Sequence, residues 1–275
     1  RITLVPSARE RLSLHSKIDN GMPIYPAGQD ENQLTAPLPW IIETETLQNK
    51  SGRHLDIQPG LVKTQPRAND LLLISEDNLH EAAGLIGNCS GMVLDLREMP
   101  AFNDAEIEAI LVSLYSRMSD DSLVFLKDSV SRVEHLFRLV VDLDLDGALV
   151  DVASVGGSLA PAALPRIGLV SQAMNIPKQG RRILLELDET PSAEDLIIAI
   201  SAGCTGVVAP PPSDDVESGL IWLDGTIKGW MLELGISELN QLTRRNLRAL
   251  DHDTAAISGL RLIGYDRPLP MWLKN

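Results

Sequence analysis

The sequence predicts a (β/α)8 barrel of the TIM type, complete or lacking one or two strands, with a doubly wound parallel sheet as the alternative. Short apolar runs alternate with amphipathic segments that have helical periodicity. The runs are continuously apolar, which is typical of parallel strands covered on both faces. A glycine after a helix end opens the run at Gly91, Gly147 and Gly206, as successive βα units require. The six predicted strands are residues 71–75, 91–96, 122–127, 147–152, 182–187 and 206–209.

Size and composition limit the class of protein. The chain has 275 residues and 30.0 kDa, enough for one barrel-sized domain with extensions. Its 44% hydrophobic and 23% charged residues are typical of a soluble globular protein. The net charge of -14 argues against nucleic acid or an anionic membrane as a partner. No apolar run approaches the roughly 20 residues that a membrane span needs.

The first residue and the two cysteines predict how the chain is processed and in which compartment it works. The sequence begins at Arg1, so we expect a processed chain or one piece of a longer polypeptide. Cys89 and Cys204 are too few for an iron–sulfur cluster, which takes about four ligands. We expect both to be small buried thiols in a reducing cytoplasm.

Three regions follow from the distribution of prolines and apolar runs. In residues 1–69 seven prolines interrupt every run, which predicts an irregular N-terminal extension with one strand candidate at residues 40–45. Residues 70–235 carry the predicted barrel core. Any further barrel strands come from the N-terminal region or are absent. Residues 236–275 predict a basic, helical C-terminal tail with helix starts at Ser237 and Thr243.

Polar residues at the ends of predicted strands are the candidates for a site, since parallel barrels bind ligands at that face. Lys127 ends the third predicted strand, and the alternative is a solvated strand-end lysine. Gly156, Gly157 and Ser158 follow the fourth, and the alternative is a plain strand–helix turn. A second set of strand-end residues could form a carboxylate cluster for a divalent cation, although no ligand spacing specifies one. This set is Asp95, Asp151 and Asp188.

Four segments between residues 38 and 265 carry a resemblance to a known family. In chain order they are WIIETETLQNKSGRHLDIQPGLV, VFLKDS, LDGALVDVASVGGSLAPAAL and LGISELNQLTRRNLRALDHDTAAISGLRLIG. In this order they resemble motifs of the FMN-dependent glutamate synthase family, and the last is similar to the end of that family's FMN domain. The resemblance implies a barrel related to FMN-dependent oxidoreductases of glutamate synthesis and nitrogen assimilation. It implies that Lys127, Gly156, Gly157 and Ser158 contact the flavin.

The chain departs from the family where the cofactors are held. The family's glycine-rich phosphate loop corresponds here to residues 185–191, which contain no glycine and carry the carboxylates of Glu186, Asp188 and Glu189. Its cysteine cluster corresponds to residues 207–212, which contain none, so no iron–sulfur cluster is expected.

Two functional hypotheses therefore remain open, and with them the question of whether the chain is an enzyme. In the first, the protein binds FMN and carries out oxidoreductase chemistry of amino-acid metabolism. In the second, it is a pseudoenzyme that has lost FMN and packs against an active glutamate-synthase-like subunit. A homo-oligomer is the other expected assembly.

Overall fold

A computed structural model describes residues 2–5, 38–100, 102–152, 163–236 and 238–265. It contains a closed barrel of eight parallel strands, in which each strand pairs with the next along the chain and the last pairs with the first. The (β/α)8 fold predicted from the alternating apolar runs is confirmed. The barrel strands are β2 (Trp40–Thr44), β3 (Gly60–Val62), β4 (Leu71–Ile74), β5 (Gly91–Asp95), β6 (Leu123–Ser129), β7 (Gly147–Asp151), β8 (Arg182–Glu186) and β9 (Gly206–Ala209).

Helices follow most of the strands and cover the outside of the barrel. Capping boxes at Asn103 and Ser192 begin two of them, since each side chain accepts a hydrogen bond from the backbone three residues on. No helix among the described residues is long and apolar enough to cross a membrane. The helices are α1 (Leu79–Leu85), α2 (Asp104–Tyr115), α3 (Val133–Asp142), α4 (Ala163–Ala173), α5 (Ala193–Ser201), α6 (Val216–Leu234) and α7 (His252–Ser258).

The barrel begins earlier than the predicted boundary at residue 70. Its first two strands, β2 and β3, lie in the region predicted to be an irregular extension. This agrees with the expectation that missing strands come from the N-terminal region. Buried polar groups hold the segment in place: Asp70 accepts hydrogen bonds from the backbone N–H of Gly60 at 2.8 Å and pairs with Arg67 at 2.8 Å. Such contacts leave no apolar periodicity, so the pattern of the sequence does not reveal them.

The described part of the C-terminal tail is less helical than predicted. Its strand β10 (Leu247–Ala249) pairs antiparallel with β1 (Ile2–Leu4), outside the barrel. Thr243 starts a short 3-10 turn, as its hydroxyl accepts from the backbone N–H of Arg245, and α7 is the α-helix of this part. The predicted helix start at Ser237 falls outside the described residues.

An apolar plug fills the barrel interior. Its side chains come from alternate positions of the strands, as the two-residue period of a strand requires. They form a cluster separate from the larger core between barrel and helices. The plug contains Leu61, Leu71, Leu73, Val93, Phe125, Leu149, Leu184 and Val208. The residues two positions further along these strands form the next layer, at the carboxyl ends.

The glycines of the sequence repeat stand where neighbouring strands approach closely. A Cβ atom on Gly147 would lie 2.1 Å from the carbonyl oxygen of Arg182, and one on Gly91 would lie 2.2 Å from that of Leu123. At Gly206 the nearest atom would be 3.2 Å away. The repeated glycines are therefore needed for close packing of the barrel strands. A side chain at Gly147 would push β7 and β8 apart.

We expect Gly147→Ala to lower the free energy of unfolding by about 3 kcal/mol, because the added methyl overpacks a rigid strand pair. Gly225→Ala is the matched control, since that helix position is exposed and has open space around it. There the change should stabilise by about 0.5–1 kcal/mol through the helix propensity of alanine. Urea denaturation of both variants measures the difference, and equal effects would contradict the packing argument.

Candidate functional site at the carboxyl ends of the barrel strands

Charged side chains form a layer above the apolar plug. Asp95 pairs in register with Lys127 across β5 and β6, and Asp151 with Glu186 across β7 and β8. Each lies two residues beyond a plug residue, so all four point into the barrel. All four are at most 6% exposed. The layer therefore lies at the end of the barrel where (β/α)8 proteins place their active sites.

Lys127 lies at the centre of this layer, held between two carboxylates. Its Nζ lies 3.0 Å from Asp95 Oδ2 and 2.5 Å from Glu186 Oε1. It is 3% exposed, so the alternative of a solvated strand-end lysine is wrong. Burial disfavours its charge, but Glu186 and Asp95 outweigh burial and raise the pKa of Lys127. The ammonium is thus a charged structural partner of the acids, while its predicted contact with a flavin stays a prediction.

Arg97 closes the layer from above. It follows β5 by two residues and donates to Asp95 with Nε and Nη2, at 3.2 and 3.0 Å, and to Asp151 with Nη1. Its Nη2 also lies 3.9 Å from Glu186 Oε2. Burial opposes its charge, but hydrogen bonding and attraction from Asp95 raise the pKa of Arg97. Arg97 could not be predicted from the sequence, because it lies in a turn, where strand periodicity carries no signal.

Glu186 differs from the other acids in the layer. The family resemblance predicts that Glu186 is one of three carboxylates at the position of the phosphate loop. In the structure, Glu186 is the last residue of β8 and points into the barrel. Burial raises the pKa of Glu186 to about 7, and the neighbouring Lys127 only partly offsets this. Its Oε2 is buried and has no hydrogen-bond partner among the described residues. Glu186 is thus a carboxyl group that can take up or release a proton near neutral pH.

The pKa values of two other acids in this layer, Asp95 and Glu43, are shifted in opposite directions. Burial opposes the charge of Asp95, but Arg97 and Lys127 outweigh it and hold the pKa of Asp95 below its ordinary value. Burial raises the pKa of Glu43, at the end of β2, against the attraction of Lys127. The lowered pKa keeps Asp95 ionised, whereas the raised pKa values of Glu43 and Glu186 make these two acids easier to protonate.

The loops after the seventh and eighth barrel strands are the usual place of a phosphate site in this fold. Here these loops are residues 187–192 after β8 and 210–215 after β9. They contain no glycine and four prolines, which offer no N–H to an anion. They also carry four carboxylates and no basic side chain. The carboxylates are Asp188, Glu189, Asp214 and Asp215.

The helix starts beside these loops are already capped by acids. Ser192 and Asp195 form a capping box at α5, in which Asp195 accepts from the backbone N–H of Ser192 at 3.0 Å. Asp215 caps α6 and accepts from the hydroxyl of Ser218 at 2.6 Å. A phosphate dianion would have to displace these carboxylates and face the others. These residues do not fit a phosphate group.

Of the other predicted site residues, Asp95 and Asp151 belong to the charged layer. Gly156, Gly157 and Ser158 lie outside the described residues, so their predicted flavin contacts stay predictions. Asp95 and Asp151 meet at the barrel mouth, bridged by Arg97, whereas Asp188 is exposed in the loop beyond. The described residues contain no group of three or more His, Cys, Asp or Glu side chains that could hold a metal ion. Cys89 and Cys204 are buried and free.

Comparison with solved structures agrees with the barrel architecture. A mandelate oxidase variant with a monooxide FMN adduct matches with a TM-score of 0.58 at 14% identity, over 90% of this chain and 87% of that one. A second mandelate oxidase variant, solved with 2-hydroxy-phenylacetamide, matches with a TM-score of 0.54 at 16% identity, over 87% and 84% of the chains. No family model and no curated protein matches the sequence. At these identities the likeness shows the fold alone, and the chain has the architecture of a (β/α)8 barrel.

Proposed function

We propose that this chain is a divergent glutamate-synthase-like barrel, related to FMN-dependent oxidoreductases, that does not hold FMN and acts as a non-catalytic subunit. Two kinds of observation support the relation. The motifs that resemble the glutamate synthase family occur in the family's order over residues 38–265, and the barrel resembles that of an oxidase solved with an FMN adduct. The link to glutamate synthesis and amino-acid metabolism rests on the sequence resemblance.

The proposal is carried by the lack of a phosphate cradle in the described loops after β8 and β9. These loops contain four prolines, which lack an N–H donor, and four carboxylates with no basic side chain. Each like-charge pair at about 4 Å costs about 1 kcal/mol in water and more where water is excluded. The side chains of Asp195 and Asp215 occupy the helix starts that would otherwise attract the anion. Several such repulsions together oppose the binding of a phosphorylated flavin.

The state of Lys127 supports the same conclusion. The resemblance assigns this lysine a contact with the flavin ring, which requires a side chain that is free to turn towards a ligand. Here its ammonium is buried and bound to Asp95 and Glu186. Breaking the contact with Glu186 would take the nearer of two cations away from a buried carboxylate, which is costly. The ion pairs therefore close the barrel mouth from within.

Non-catalytic relatives of enzymes commonly act through assembly, so we propose that this barrel packs against an active glutamate-synthase-like subunit. A second copy of the chain is the alternative partner. In either case the barrel would contribute its outer surface to the assembly, and the closed charged layer would contribute stability.

The absorption spectrum of the protein as purified tests the proposal. We expect a colourless protein whose heat-denatured supernatant contains no flavin. A yellow protein that releases one flavin per chain would overturn the proposal in favour of an active FMN oxidoreductase. Addition of FMN during refolding serves as the control for cofactor lost in purification, and the spectrum after gel filtration should still lack flavin bands.

A further inference from the structure

Four arginines line one cavity outside the barrel, in a chain whose net charge is -14. The cavity has a volume of about 190 Å³ and lies between β10 and the segment that follows α7. Its apolar floor is formed by the buried residues Leu247 and Leu260. The arginines are Arg244, Arg245, Arg248 and Arg261.

Two of these arginines are positioned by the backbone. Arg248 donates through Nη1 to the carbonyl oxygens of Arg245 at 2.7 Å and Leu247 at 2.8 Å. Arg244 donates through Nη2 to the carbonyl oxygen of Ser258. Both are half-buried, so part of each guanidinium is fixed and the remaining N–H groups stay available.

The other two arginines, Arg245 and Arg261, are exposed. Among the described residues, no ion pair joins any of the four guanidinium groups to a carboxylate. Burial lowers the pKa of Arg244, while burial and the positive charge of Arg261 lower the pKa of Arg248. The cavity thus brings four positive charges together, two of them partly desolvated, with no carboxylate partner in the part of the chain that the structure describes.

We propose that this arginine cavity binds a compact polyanion, namely a diphosphate, either free or as part of a nucleotide. One guanidinium group can bind two phosphate oxygens through two parallel hydrogen bonds. Several guanidinium groups around one cavity therefore suit a ligand that has two adjacent phosphates. The volume is below the roughly 300–1,000 Å³ of sites that enclose a drug-sized ligand, so the cavity suits the anionic group itself. The site lies apart from the barrel mouth, and its occupancy does not depend on flavin binding.

Calorimetric titration with pyrophosphate and with ADP, at constant ionic strength, tests the proposal. We expect saturable binding of pyrophosphate at one site per chain. Tighter binding of ADP would identify a nucleotide as the ligand, and equal or weaker binding of ADP would identify the free diphosphate. Absence of saturable heat with both probes would overturn the proposal.

Two matched double variants distinguish binding in the cavity from a general effect of the protein's charge. Arg245→Gln/Arg261→Gln removes two exposed charges from the cavity, and Lys50→Gln/Arg53→Gln removes two exposed charges elsewhere. We expect the first to weaken pyrophosphate binding about tenfold or more and the second to change it less than about twofold. Equal weakening in both would overturn the assignment to this cavity. Thermal unfolding of each variant without ligand confirms that it folds.

Discussion

Lys127→Met is expected to lower the free energy of unfolding by about 3–5 kcal/mol at pH 8, because it leaves a buried carboxylate without its partner. Lys127 Nζ lies 2.5 Å from Glu186 Oε1, whereas Asp95 keeps its contacts with Arg97. The cost should be smaller at pH 5, where Glu186 is protonated and needs no cation. Urea denaturation at both pH values measures the effect.

Two further variants make this prediction specific. Lys127→Met/Glu186→Gln removes both charges, so its loss should be smaller than the sum of the two single losses by about 1–3 kcal/mol. Lys178→Met changes an exposed lysine and should cost less than about 0.5 kcal/mol. If Lys127→Met were as mild as Lys178→Met, the buried ion pairs would not support the barrel mouth.

Glu186 is expected to make the protein less stable as the pH rises from about 4.5 to above 7. Its pKa in the folded protein is about 7, against an ordinary value of 4.5, so the folded state holds a proton that the unfolded state has released. The contribution of Glu186 is therefore complete below about pH 4.5 and is lost as the pH rises through 7. A difference of this size corresponds to about 3 kcal/mol.

Comparison of the wild type with Glu186→Gln isolates this contribution, because Glu43, whose pKa is also raised, is present in both. The stability of the wild type relative to the variant should fall by about 3 kcal/mol between pH 4.5 and 8. Asp95 does not interfere, since its lowered pKa places its titration below this range. Glu189→Gln, at an exposed position, should show no such trend. A flat difference for Glu186→Gln would mean that its carboxyl group is not perturbed.

The strands that pattern alone could predict are those with continuous apolar runs and a helix on each side. The predicted 91–96 and 206–209 match β5 and β9 to within one residue. β3 could not be predicted in this way, because it has three residues, follows Pro59 and is held by polar contacts of Asp70 and Arg67, which leave no apolar periodicity. Its place in the barrel is set by its pairing with β2 and β4.

The candidate site likewise contains residues that local pattern could predict and residues that it could not. Lys127, Asp95 and Asp151 could be expected at one face because they end parallel strands. The importance of Arg97 depends on a turn that folds its side chain back over the barrel, which no spacing rule describes. Glu186 was expected to face a phosphate, and only the register of β7 and β8 places it inside beside Lys127. Side chains from different strands meet only when the sheet closes into a barrel, and local sequence patterns do not predict which of them meet.

Flavin binding at equilibrium tests the central claim most directly. Fluorescence titration of FMN and of riboflavin with the purified protein compares a phosphorylated and an unphosphorylated form of the same ring. The acidic loops after β8 and β9 predict no saturable quenching of FMN, and no advantage of FMN over riboflavin. Saturable binding of FMN that is at least about tenfold tighter than that of riboflavin would show a working phosphate cradle, and would contradict the claim that this barrel has lost its cofactor site.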